Sequence, residues 1–165
     1  MAEHIWSVLC YKAVVDRDTN QVSLLDVIED ATIAIPSPPK GVDLFAMPFP
    51  ICVASTWMRS NLSKPETFSV RVVVVPPQGS EIPSSAVLVA DDLETKMRLR
   101  TFMKVRAIPL RGGGIYRFAV EQRVRDEDPW RREASIPLRL QITEAAGPIQ
   151  LQPKRTKRTK RTKRE

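Results

Sequence analysis

Histidine, cysteine and glycine are all scarce in this chain: one His, two Cys and six Gly among 165 residues. The single histidine, His4, rules out any metal site built on several imidazoles. Its place so near the N-terminus suits a partly exposed strand end better than a catalytic triad. The cysteines, Cys10 and Cys52, lie inside apolar segments and lack the polar, accessible setting and activating base that a nucleophile needs. Both are expected as buried free thiols that pack like small hydrophobes, with no disulfide. Three of the glycines fall together in Arg111-Gly112-Gly113-Gly114, but a strand pattern follows where a phosphate-binding loop would open a helix. That run is expected to be a hairpin turn. Long apolar runs are missing too: no stretch approaches the eighteen uninterrupted residues of a membrane-spanning helix. The opening Met1-Ala2-Glu3-His4 has no basic segment leading into an apolar one, so a cytoplasmic setting is expected. No cofactor is implied and no enzyme signature appears.

Sustained helical periodicity is the last absence, and fourteen prolines reinforce it. What replaces it is a series of β-branched segments with period two, separated by turn residues. Strands are predicted over 5–15, closed by Asp16-Arg17-Asp18-Thr19-Asn20, and over 22–28, followed by a loop through Pro36, Pro38 and Pro39. In 45–57, Phe45, Met47, Phe49, Ile51, Val53 and Trp57 share a core-facing parity. Pro48 and Pro50 cannot donate to a ladder, so that segment should begin as an edge or a bulge, and an edge rich in Phe45, Phe49 and Trp57 would suit pairing with another copy. Further strands are predicted over 67–75, 86–90, 97–107, 115–124 and 135–143, about eight in all, with at most a helical turn within 85–97. Sheets with one apolar face each must bury it against a second layer, and without a long helix that layer is another sheet. The expected fold is all-β, an antiparallel β-sandwich over 1–145 with an open barrel as the alternative. A disordered basic tail over 146–165 follows it.

Four short segments carry a resemblance: Ser23-Leu24-Leu25-Asp26-Val27-Ile28-Glu29, Pro50-Ile51-Cys52-Val53, Pro65-Glu66-Thr67-Phe68 and Gly114-Ile115-Tyr116-Arg117-Phe118. Together they resemble an uncharacterised family of small bacterial all-β proteins, a domain of unknown function, over about residues 5–143. The resemblance implies a bacterial, intracellular sandwich and supplies no site residues.

Charge is distributed unevenly. Of 26 Lys and Arg and 19 Asp and Glu, eight bases and one acid lie in the last twelve residues, so the remainder of the chain is neutral and the tail holds the whole formal excess of +7. The tail repeats Lys-Arg-Thr, and Lys154, Arg155, Lys157, Arg158, Lys160, Arg161, Lys163 and Arg164 are its candidate polyanion-binding residues. Like charges three and four apart repel in a helix, so the tail is expected to be disordered when free; with no aromatic it can neutralise phosphates but cannot stack on bases. Within the body, Arg98, Arg100, Lys104, Arg106, Arg117 and Arg123 would form one basic sheet face if their two strands were neighbours. The plainer alternative is a solvated face of arginines paired with acids on adjacent strands.

The leading expectation is therefore a non-enzymatic interaction module whose polybasic arm contacts nucleic acid or another polyanion. The alternative is a ligand- or Ca²⁺-binding, C2-like sandwich. It would gather Asp16 and Asp18 with Asp91 and Asp92, or with Asp126, Glu127 and Asp128, and its tail would be incidental. Asp16-x-Asp18-x-Asn20 opens like a calcium loop, but Gln21 and Val27 stand where that loop needs glycine and a bidentate glutamate.

Overall fold

The computed structural model describes residues 2–35, 45–61, 63–90, 93 and 96–144, and the tail expected over 146–165 lies outside them. Among the described residues there is no α-helix, and no helix long and apolar enough to cross a membrane. The strands are β1 (Glu3–Val15), β2 (Val22–Val27), β3 (Asp30–Ile35), β4 (Phe45–Ala46), β5 (Ile51–Met58), β6 (Phe68–Val75), β7 (Ile82–Ala90), β8 (Arg98–Val105), β9 (Pro109–Leu110), β10 (Gly114–Arg123) and β11 (Arg131–Glu144). They form a sandwich of a four-stranded sheet, β2-β1-β5-β8, and a five-stranded sheet, β3-β11-β10-β6-β7, with β4 and β9 pairing separately.

The inner faces follow the alternation of the sequence. Phe68, Val70, Val72 and Val74 of β6 are all buried, and Thr101, Met103 and Val105 of β8 point inward while Arg98, Arg100 and Lys104 are exposed. Trp57 of β5 meets Phe68 of the facing sheet with ring centroids 5.0 Å apart. Its indole N–H donates to Thr101 Oγ1 at 3.1 Å, so the polar edge of a fully buried ring is satisfied. Burying side chains of this size contributes about 1.5–3 kcal/mol each, which makes the inter-sheet core the main stabilising term.

Four expectations need correction. The segment 45–57 is not one strand: only Phe45–Ala46 pairs, with β9, and the ladder resumes at Ile51 once the prolines have passed. Trp57 lies on an interior strand between β1 and β8, so it is no part of an edge. The chain after β2 does not enter a loop at once. It crosses to the other sheet and forms β3, parallel to β11, with Arg139 opposite Asp30 and Glu144 opposite Ile35. Arg111-Gly112-Gly113-Gly114 is likewise no hairpin, because it carries the chain from the four-stranded sheet through β9 into β10 of the five-stranded one. Tyr116 closes this crossing, accepting the Arg111 N–H at 2.7 Å and donating to the Gly112 carbonyl at 3.0 Å. Gly114 has φ +140, and a Cβ there would stand 2.9 Å from Pro77 Cβ.

The β1–β2 hairpin is folded back on the sheet. Trp6 is in line with Thr56 and Arg100 across the four-stranded sheet, yet Arg100 Nη1 donates to the carbonyl of Asn20, fourteen residues further along, at 2.7 Å. That contact requires the distal hairpin to curl over the outer face toward β8. Asp26, with φ +52, lies between the paired positions Leu25 and Val27, next to where β1 leaves β5. Ala13 and Leu24 of the curled part, with Phe102, cover Cys10, Cys52 and Ala54, which is why residues on an outer face are buried.

Cys10 and Cys52 face each other across β1 and β5 as free thiols. Burial and the neighbouring Cys52 push Cys10 up to about 11, and burial also raises Cys52. At pH 8 the native protein is therefore expected to resist a thiol-labelling reagent that modifies the unfolded chain rapidly. Arg100→Ala, which frees the hairpin tip, should speed labelling of both cysteines several-fold while the far-ultraviolet spectrum stays unchanged. Equal labelling rates for wild type and variant would show that the tip contact does not hold the hairpin down.

Candidate functional site

The six basic residues expected on one face are divided between two sheets. Arg98, Arg100 and Lys104 project from the outer face of β8 in the four-stranded sheet, with exposed Arg106 just beyond it, whereas Arg117 and Arg123 belong to β10 in the five-stranded sheet. The premise that the two strands are neighbours fails because the β9 crossing changes sheets between them.

On the five-stranded sheet Arg71, Arg123 and Arg132 are engaged, while Arg117 is not, among the described residues. Glu121 of β10, nearly buried, accepts from Arg71 of β6 at 2.8 Å and from Arg132 of β11 at 3.0 Å, and Arg132 also reaches Glu81 at 3.1 Å. Arg123 pairs with Asp126 at 2.6 Å. The guanidinium carbons of Arg71 and Arg123 stand 4.3 and 4.5 Å from the centroid of the Trp130 ring. This surface fits the plainer alternative of arginines paired with acids on neighbouring strands.

On the four-stranded sheet the arginines meet neutral groups. Arg100 Nη1 donates to the Asn20 carbonyl and, at 3.3 Å, to its side-chain oxygen. Between the hairpin tip and β8 lies a cleft of about 390 Å³ lined by Val15, Asn20, Lys96, Arg98, Leu99, Arg100 and Phe102. No acid lines it. Asp16, on the same turn, accepts the N–H groups of Asp18 and Thr19 at 2.9 and 2.8 Å, and these bonds hold its carboxyl below the usual carboxylate range.

Among the described residues the acidic loops do not assemble. Asp126 is tied to Arg123, Asp128 accepts the Arg125 N–H at 3.0 Å, and Asp91 and Asp92 lie outside the described residues. Among the described residues no three His, Cys, Asp or Glu side chains come together as metal ligands.

A second cavity, of about 560 Å³, opens between β1, the β2–β3 turn, β10 and β11, with Ser7, Leu9, Ile28, Ile115 and Ile136 in its wall. Ser7 begins a polar chain missed in the sequence. His4 Nε2 is 2.7 Å from Ser7 Oγ, and that hydroxyl donates to Ser55 Oγ at 2.7 Å inside the core. His4 also packs edge-on to Trp57 at 5.1 Å. The available signal was parity: Ser7 and Ser55 stand opposite each other on inward-facing positions of paired strands, where a serine needs a polar partner. The contact gives the buried Ser55 hydroxyl a polar partner between the paired strands.

No family model matches this chain, and no curated protein matches it either.

Burial lowers the His4 pKa from its ordinary 6.5, outweighing the charge of Glu133 and a backbone hydrogen bond to Trp6. The unfolded chain therefore takes up this proton first. The stability due to neutral His4 is present above about pH 6.5 and is lost as pH falls from there through the lower folded-state value. Denaturant midpoints of the wild type should drop between pH 7 and pH 5, whereas His4→Gln should be flat across that window. Parallel curves for the two proteins would remove His4 as the titrating group.

Proposed function

We propose that this protein is a non-enzymatic interaction module: a β-sandwich carrying a C-terminal polycation that binds nucleic acid or another polyanion without sequence preference. The observation that supports it most is the charge distribution, with the full excess of +7 in the Lys-Arg-Thr repeat and a neutral remainder. On the five-stranded sheet, Arg71, Arg132 and Arg123 already meet Glu121, Glu81 and Asp126. Phosphates are the matching partner, because each lysine or arginine placed on one releases a condensed counterion. A cytoplasmic setting in a bacterial cell fits two buried thiols left unpaired, and the likeness to small bacterial all-β proteins points the same way.

The test compares the full chain with one ending at Pro153 in a gel-shift or filter-binding assay against duplex DNA. If the eight bases each neutralise one phosphate, the log-log salt slope of the full chain is steeper by about 7, and its low-salt affinity exceeds that of the shortened chain by orders of magnitude. Equal affinity at low salt would sink the reading.

A further inference from the structure

We propose that the cleft between the β1–β2 tip and β8 binds a nucleoside phosphate. The choice of phosphate extends the polyanion reading, but the site is on the body and does not depend on the tail. Its volume, about 390 Å³, falls in the range of small-molecule sites. Its lining sorts into two chemistries. Arg98 and Arg100 supply two guanidiniums, and Val15, Leu99 and Phe102 supply an apolar wall with one aromatic ring.

Several details favour this ligand over a plain anion. Arg100 is oriented by neutral oxygens of Asn20, so its position is fixed while its charge is not cancelled by a carboxylate; Arg71, Arg123 and Arg132 on the other sheet each meet one. Asp16, on the hairpin turn, is directed into that turn's own N–H groups. Asn20 itself sits at φ +54, a conformation that asparagine adopts more readily than most residues. With its side-chain oxygen engaged by Arg100, its amide N–H₂ is left to donate. An amide donor beside an aromatic face and a guanidinium plane is the combination that reads and stacks a nucleobase, while the cations take the phosphate. Sequence showed the row Arg98, Arg100, Phe102, Lys104 on one parity; the folded-back hairpin turns that row from a flat face into a cleft.

Calorimetric titration of the full chain with AMP, with adenosine and with inorganic phosphate tests the site. AMP should bind saturably with one site per chain, and more tightly than either fragment. Arg98→Gln should weaken AMP at least tenfold, with partial recovery in Arg98→Lys. Phe102→Leu should weaken AMP about fivefold and leave inorganic phosphate unchanged, which a general loss of fold would not do. The chain ending at Pro153 should bind AMP as the full chain does, so failure of the tail leaves this site standing and failure of the site leaves the tail standing. Competition of bound AMP by a ten-residue oligothymidylate would assign the site to a single strand, and lack of competition to a free nucleotide; both outcomes sustain it. No saturable binding at millimolar AMP, or binding indifferent to Arg98→Gln, overturns the proposal.

Discussion

Trp57 is the point on which the two sheets turn. Its ring is wholly buried, packed on Phe68 from the opposite sheet, with its one polar atom satisfied by Thr101 and its edge met by His4. A large indole in that position fixes the spacing between layers, and the smaller side chains around it, Leu9, Val53, Val70 and Phe118 among them, fill the space it defines. The polar groups that accompany it are constrained to match. Ser55 must find Ser7, and Gln122 donates to the Ala2 carbonyl at 3.0 Å, which ties the start of the chain to the core. Both bonds place the N-terminal end of β1 against the sandwich and so aim the hairpin that follows.

From that anchoring the outer surfaces acquire different characters. The five-stranded sheet has an outer face stitched by Arg71, Glu121 and Arg132, where a nearly buried carboxylate between two guanidiniums is costly to leave unpaired. On such a face Arg71 and Arg132 spend their charge on a neighbouring carboxylate. The four-stranded sheet has its outer face covered by its own hairpin, with thiols and Ala54 beneath and cations at the rim. Similar arginine content thus produces a carboxylate-bridged network on one side and, on the other, a cleft in which Arg100 meets neutral oxygens.

Local order was legible and long-range order was not. The alternation in Phe68, Val70, Val72, Val74 and in Leu99, Thr101, Met103, Val105 identified both strands and their buried faces, because period two is a property of a few consecutive residues. The break at Pro48 to Pro50 was half visible, since proline announces a missing donor without saying where the next ladder lies. The parallel pairing of β3 with β11 joins segments about a hundred residues apart and leaves no local trace. The assignment of β8 and β10 to different sheets was hidden for the same reason, and with it the fate of the basic face. The cleft was least legible of all, for it exists only because a hairpin bends near Asp26, whose positive φ is not written in any pattern of hydrophobicity.

On the two proposals above, the tail and the cleft would act over different distances, which would divide the work between them. Charge on a solvated arm is felt within a Debye length, about 8 Å at physiological salt, and confers attraction without geometry. Arg100, held by Asn20, offers the opposite: one oriented donor whose interaction depends on position more than on ionic strength. A polycation alone collects any polyanion, and an isolated cleft must wait for its ligand to diffuse in. On the same two proposals, an arm that concentrates phosphates near the surface would raise the encounter rate at a site that selects among them. The neutral body is what makes this division workable, because a strongly basic body would hold the same polyanions everywhere and leave the cleft no selective advantage.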